Sequence, residues 1–475
     1  MKYDQQTMPL FEKLKQFRTS EPISFHVPGH KNGTVWPGNA LSFYNSILPF
    51  DVTELTGMDD LHAPHSVIGE AELLAADFFN VDHTFFMIGG STIGNLAMIL
   101  ATCQPGEKII VQRNCHKSVL NGLELSGAKP IFIAPEYESR MDRYTAPSFQ
   151  TLAYALDAHP DAKAVILTYP DYFGKTFSIK QMVKYAHECN TPVLVDEAHG
   201  VHFSLGTPFP TSAIEHGADV VVQSAHKMAP AMTMTAYLHL NSTRIPATRI
   251  AHFLQMLQSS SPSYPLMASL DIARSFLANM NPEQVDEVLT STKQFRQLMQ
   301  ESDLWRVIPM EENDDPLKLT IHINQGLSGE DVAKMFEQEG IYPELTTHNQ
   351  VLFIHGLAPF KQFSKVKQAL KRINERLKME PNHATIDITK LFTKPIQELV
   401  FSYQEMQQRK TKQVKLNNAK GHVAAEAIIP YPPGIPIVLK GERITAIHIE
   451  LLEHLLGHGV QVQHRNINNG ISVFQ

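Results

Sequence analysis

Four short stretches place chemically capable residues directly after apolar runs. In "VVVQSAHKMAPAM" (220–232), Lys227 follows a run of valines, with Ser224 and His226 beside it. In "PVLVDEAHG" (192–200), Asp196 closes an apolar run and leads into Glu197, Ala198 and His199. In "FFMIGGSTIGN" (85–95), Gly89, Gly90, Ser91 and Thr92 open an apolar helical pattern. In "KIIVQRNCHKS" (108–118), His116 stands just past another strand-like run. Taken singly, each has an ordinary reading: a snorkelling lysine, a strand-end cap, a glycine turn with a hydroxyl cap, a hydrogen-bonded surface histidine. Taken together they form a set. A lysine amine bonds an aldehyde, a carboxylate pairs with a protonated ring nitrogen, and a glycine turn before a helix offers N–H groups to a phosphate. Pyridoxal phosphate requires that set.

Other motifs compete less well. "DEAH" at 196–199 is also a helicase signature, and "GKT" occurs at 174–176. A Walker A loop needs a glycine where this chain has Tyr169, and the "GKT" lies too close upstream of Asp196 for a nucleotide site. His62 and His65 have ligand-like spacing beside Asp59 and Asp60, but 23 histidines make such coincidences common, and no metal is expected.

For these residues to meet, their elements must share one rim. "KIIVQ" (108–112), "KPIFIA" (129–134), "KAVILTY" (163–169), "PVLVDEA" (192–198) and "DVVVQS" (219–224) are continuous β-branched runs, as strands buried on both faces require. Helical patterns lie between them, such as 178–190 with Ser178 as its N-cap. The alternation predicts a mainly parallel α/β sheet, which gathers ligands at the carboxyl ends of its strands. The first sixty residues read as an arm with short helices. A second α/β unit follows the sheet, with strands at 317–323 and 351–356 and helices at 328–340 and 365–377. Residues 379–387 read as a linker to a last module. The expected divisions are an arm (1–60), a cofactor-binding large domain (61–275), a small α/β domain (276–380) and a C-terminal α+β module (381–475).

Bulk properties narrow the classes. Of the 475 residues 43% are hydrophobic and 19% charged, an ordinary globular composition. A net charge of −7 gives no support for a nucleic-acid surface. The first residues lack the apolar core of a signal peptide, and no apolar run reaches the roughly 18 residues of a membrane helix. Three isolated cysteines, Cys103, Cys115 and Cys189, suit a reducing cytoplasm better than a disulfide framework.

The stretches "FHVPGHKNG", "DVTELTGMDDLHAP", "GGSTIGN", "RNCHKS", "VDEAHGVHF", "QSAHKMAPAMTMTA", "SSSPSYPLMASLD" and "IIPYPPGIP" together resemble the Orn/Lys/Arg decarboxylases, in that family's order, from about Phe25 to Glu442. The resemblance is closest to the shorter Gram-positive-type members. It implies a fold-type-I pyridoxal-phosphate enzyme with an aspartate-aminotransferase-like large domain. It assigns Lys227 as the lysine bonded to the cofactor, Asp196 as the partner of the ring nitrogen, and Ala198 and His116 to the two ring faces. It assigns Gly90, Ser91 and Thr92 to the phosphate, with Ser224 and His226 adding contacts and Ser260 reaching the phosphate of a neighbouring subunit. The implied reaction is decarboxylation of arginine, lysine or ornithine to the amine and CO2, feeding polyamine metabolism, in a dimer or larger homo-oligomer with shared active sites. An aminotransferase or lyase would share the cofactor residues, and a non-catalytic paralogue would keep the fold. Glu54, Asp59 and Asp60 are available for a cationic substrate side chain. Two departures stand out: Gly89-Gly90-Ser91-Thr92 where the family often has "NGTS", and Gly421-His422 where it usually has Gly-Arg. A histidine does an arginine's work less reliably.

Overall fold

The computed structural model describes residues 2–324, 327–376, 389, 391–392, 394–429, 436–457, 462, 467 and 470–475. The proposed linker at 379–387 and most of "IIPYPPGIP" lie outside the described residues. The chain divides into two compact units, residues 1–102 with 192–281 and residues 103–191 with 282–475.

In the first unit the strands His83–Met87, Ala236–Leu240, Val220–Gln223 and Val193–Asp196 lie side by side in that order. The last two are parallel, with Asp196 opposite Val222, and the other pairs are antiparallel. Every residue of Val193–Asp196 and Val220–Gln223 is buried, as their unbroken apolar runs predict. The helix Gly90–Thr102 lies directly on these strands. Gly94 permits this approach: a Cβ there would sit 2.7 Å from Val222 Cγ1 and 2.9 Å from Met87 Cε. The arm packs onto the same unit through its helix Pro9–Thr19. A buried pair, Arg274 and Asp271 at 2.6 Å, holds it there. Arg274 Nη1 donates to the Gln5 carbonyl at 2.7 Å, and Asp271 accepts from Leu10 N–H at 3.0 Å. Lone charges at this depth would be costly, so each is used by the other and by the arm's backbone.

The second unit holds the strands Val165–Thr168, Lys108–Gln112 and Lys129–Ile133 in parallel, with Ile396–Glu398 antiparallel at the edge. A separate four-stranded sheet is built from Trp305–Val307, Lys318–Ile323, Gln350–Ile354 and Leu345–Thr346. All its pairs are antiparallel. The helices Gly329–Gln338 and Phe363–Arg376 supply its apolar cover. Ser328 caps the first, its hydroxyl accepting from Asp331 N–H at 3.0 Å. Ser178 does stand at the N-cap of Ile179–Glu188, but its side chain makes no cap hydrogen bond. In the C-terminal module Thr411–Val414 pairs with Ile471–Phe474 beside the helix Ala446–Gly457. Buried Arg113 grips this module: it donates to the carbonyls of Pro436 and Ile437 and meets the Glu442 carboxylate at 2.8 Å.

Candidate active site

Parallel pairing of Val193–Asp196 with Val220–Gln223 brings two strand ends to one level. Asp196 is the last residue of the first strand and is 3% exposed. Asn95 Nδ2 donates to its Oδ2 at 2.8 Å, and Ala198 N–H donates to its Oδ1 at 3.2 Å. Both bonds fix the orientation of the carboxylate. Ser224 ends the second strand, fully buried, and its hydroxyl donates to Ser91 Oγ at 2.8 Å. The short helix Ala225–Met228 then presents His226 and Lys227, both half-buried. His226 Nδ1 donates to the Thr235 carbonyl at 2.9 Å, which fixes its ring. Lys227 Nζ lies 3.1 Å from Nε2 of His199, a buried residue of the turn that follows Asp196.

The glycine turn is arranged for an anion with one change from expectation. Gly90 N–H is used internally, donating to the Met234 carbonyl at 2.6 Å. Donors toward a ligand therefore start at Ser91 and Thr92, in the first turn of the helix, where backbone N–H groups lack an intrahelical acceptor. Gly90 has φ +75°, a conformation glycine adopts freely, and a Cβ there would meet nothing within 4 Å. Open space over a helix N-terminus, two hydroxyls, a buried carboxylate and a lysine amine suit the phosphate, ring nitrogen and aldehyde of pyridoxal phosphate.

Beneath the turn runs a buried polar line. Glu197, fully buried, accepts from Ser212 Oγ and Ala213 N–H, each at 2.7 Å, and from Gln223 Nε2 at 2.5 Å. Gln223 Oε1 meets His239 Nε2 at 3.1 Å, and His239 Nδ1 meets Thr84 Oγ1 at 2.9 Å. Each bond has one donor and one acceptor if His239 is neutral with its proton on Nε2. Burial drives His239 down to about 3, in keeping with that state. Burial also pushes the Glu197 carboxyl up to about 7.

His116 lies in the second unit as the N-cap of Lys117–Ser126, its Nδ1 accepting from Ser118 N–H at 3.2 Å. Ser260 is exposed, and among the described residues it makes no hydrogen bond to the set round Lys227. The acidic loop is largely spoken for. Asp59, buried, accepts from the N–H groups of Asp60, His65, Ser66, Ile68 and Gly69. Burial raises its carboxyl, but these bonds outweigh burial and hold it below its ordinary value. Asp60 accepts from His62 N–H at 2.8 Å through one oxygen and is half-buried, and Glu54 is exposed. His62 Nε2 turns to the Ser259 carbonyl at 2.9 Å. The "GKT" at 174–176 is a turn closed by Asp171, which accepts from Phe173 and Lys175 N–H, while Lys175 pairs with Glu311 and Asp314. At the Gly421-His422 departure, Arg443 Nη1 donates to the Gly421 carbonyl at 2.7 Å, so an arginine reaches this position from another segment.

Asn95 escaped the sequence reading, although a polar residue inside "IGNLAMILATC" was a signal. Gln223, His239 and Thr84 left no comparable mark.

The sequence matches the Orn/Lys/Arg decarboxylase major domain over residues 8–314 and the C-terminal domain of the same family over residues 382–460. Over 460 residues it is 43% identical to the uncharacterized protein YaaO of Bacillus subtilis (strain 168), covering 96% of this chain and 95% of that one. It is 34% identical over 470 residues to the arginine decarboxylase of the same organism, covering 97% and 96%. The constitutive lysine decarboxylase structure from E. coli superposes with a TM-score of 0.81 at 18% identity, over 99% of this chain and 82% of that one. The chain belongs to the Orn/Lys/Arg decarboxylase family. It is an amino-acid decarboxylase of the fold-type-I class, dependent on pyridoxal phosphate.

Proposed function

We propose that the chain removes the α-carboxyl group of arginine as CO2, releasing an amine that feeds polyamine synthesis. One observation carries the site: Asp196 ends one strand, Lys227 stands on the short helix that follows the parallel neighbouring strand, and Ser224 between them bonds Ser91. Support for arginine comes from the Bacillus subtilis relative of that name.

Bound pyridoxal phosphate supplies an aldehyde that bonds amines and a protonated ring that draws electrons from Cα. The chain's residues do the rest. Lys227 would provide the amine that bonds the aldehyde and holds the cofactor in place. Asp196, oriented by Asn95 and Ala198 N–H, would pair with a proton on the ring nitrogen. Ala198 packs beside that acid against the ring. The N–H groups and hydroxyls of Ser91 and Thr92, with Ser224, hold the phosphate at the helix N-terminus, and Gly90 keeps the space above it open. His226, its ring fixed by Thr235, adds to that contact. The resemblance alone supports His116 on the second ring face and Ser260 at the phosphate of a neighbouring copy. The working form is a homodimer or larger, in the cytoplasm.

The test is a panel assay. Purified holoenzyme should release CO2 from arginine faster than from lysine or ornithine, and the product amine should be identified by mass spectrometry. Preference for lysine or ornithine would reject the substrate assignment. Absence of bound pyridoxal phosphate would reject the site.

A further inference from the structure

The contact between Lys227 and His199 has no part in the roles given above. His199 is 5% exposed, and its Nε2 stands 3.1 Å from Lys227 Nζ. A protonated lysine can only donate, so Nε2 is the acceptor and the ring proton sits on Nδ1. The turn that carries His199 is firmly held. Glu197, two residues earlier, is locked to Ser212, Ala213 and Gln223, and Gly200 N–H donates to the Glu197 carbonyl at 2.9 Å. A Cβ at Gly200 would lie 2.5 Å from Glu197 Cγ, so this turn accepts only glycine without moving. His199 is thus held against the lysine by a buried frame.

We propose that His199 is a further catalytic residue, the proton partner of Lys227. An ammonium has no lone pair and cannot attack a carbonyl. Lys227 first gives one proton to His199 Nε2, leaving a neutral amine and an imidazolium. The amine nitrogen then bonds the aldehyde carbon of pyridoxal phosphate, its two remaining hydrogens leave with the aldehyde oxygen as one water, and the imidazolium returns its proton to solvent. When substrate displaces Lys227 the lysine regains its hydrogens, and His199 stabilises the amine between turnovers. Imidazole suits this work because its ordinary ionisation lies near neutrality.

Other titratable groups round this turn have bonds of their own. Asp196 is held by Asn95 and Ala198, Glu197 by its three donors, and His226 by Thr235. His202 packs its ring on Phe203 and Phe209, His239 bonds Gln223 and Thr84, and Asp271 pairs with Arg274. His199 Nε2 lies within hydrogen-bond reach of Lys227 Nζ.

The inference rests on Lys227 being the cofactor-bonding lysine, and the experiment separates the two. Full-length protein stripped of cofactor is mixed with pyridoxal phosphate, and the rate of covalent capture is followed by absorbance between about pH 6 and 10, the span of histidine and lysine ionisation. His199→Gln keeps a hydrogen-bonding group but cannot carry the proton. It should capture at least about tenfold more slowly near pH 7, where a base must take the proton, and match wild type near pH 10, where much of the amine is already neutral. His199→Asn should behave alike. A variant that follows wild type at every pH, or is slowed by one constant factor throughout, would overturn the proposal. Wild type gives an independent arm: a profile governed by a single ionisation near 10.4, that of an ordinary lysine, would also overturn it. Undiminished capture by Lys227→Ala would instead remove the lysine assignment itself.

Discussion

At the scale of single residues, the site is a set of polar groups whose positions are fixed by their neighbours. Lys227→Ala should abolish the covalent absorbance band of the cofactor, and Asp196→Ala should bind cofactor weakly and lose turnover; near-normal turnover in the latter would remove Asp196 from the ring nitrogen. Asn95→Ala makes a finer test, because it withdraws the only side chain seen donating to Asp196 among the described residues. Losing a bond to a charged group of this kind costs about 1.5–3 kcal/mol. Cofactor binding should weaken by at least about tenfold in a spectroscopic titration, and unchanged binding would remove Asn95 from this role. The placement of Asp196 at a strand end and of Lys227 just past one was legible in the sequence, because unbroken apolar runs mark where buried strands stop. Asn95 was not, because a helical pattern does not say which neighbour its one polar residue will meet. Asp59 misled for a related reason: an acidic loop looks solvated until its carboxylate is seen to organise the backbone of residues 60–69.

At the scale of elements, the site depends on two buried strand ends braced by a polar line that runs between strands. Glu197 and His239 in that line titrate in opposite senses. Folding raises Glu197 from 4.5 to about 7, so its contribution is fully present below about pH 4.5 and is lost as pH rises through about 7. Folding lowers His239 from 6.5 to about 3, so its contribution is present above about pH 6.5 and is lost as pH falls toward 3. Between about pH 4.5 and 6.5 the two slopes offset each other. Glu197→Gln should uncover the histidine slope: relative to wild type, the variant's stability should gain about 1.4 kcal/mol per pH unit from about pH 4.5 to 7, read from urea midpoints. Parallel pH dependence of the two proteins would reject the assignment. Gly94→Ala should also destabilise, by about 1–3 kcal/mol, because its methyl would press on Val222. The strands that carry the site were legible because burial on both faces leaves an apolar run that nothing interrupts. The antiparallel pairing of the small sheet was not, since strand direction leaves no mark in a short apolar run. Ser178 shows the same limit at a helix end: residue type proposed a cap, and the observed backbone, φ −72° and ψ 55°, comes without the bond.

At the scale of the whole molecule, one chain leaves apolar surface that water serves badly. Ile23 is 87%, Phe25 93% and Phe43 84% exposed, all within the arm, although that arm is firmly anchored at residues 5–10. Exposed apolar residues scattered singly need no explanation, but three large ones in a stretch of 21 residues mark a surface made for contact. The same stretch holds buried polar atoms, His26 Nε2 and Trp36 Nε1, with no hydrogen-bond partner among the described residues. A second copy lying on the arm would cover these apolar side chains. The protein should therefore sediment as a dimer or larger, and Phe25→Glu with Phe43→Glu should shift it toward monomer in analytical ultracentrifugation. If the active sites are shared, specific activity should fall with dilution in the double variant at concentrations where wild type keeps full activity, and restoring the concentration should restore it. A monomeric variant as active as wild type would show that each chain works alone, and a double variant that stays dimeric would place the interface elsewhere than on the arm.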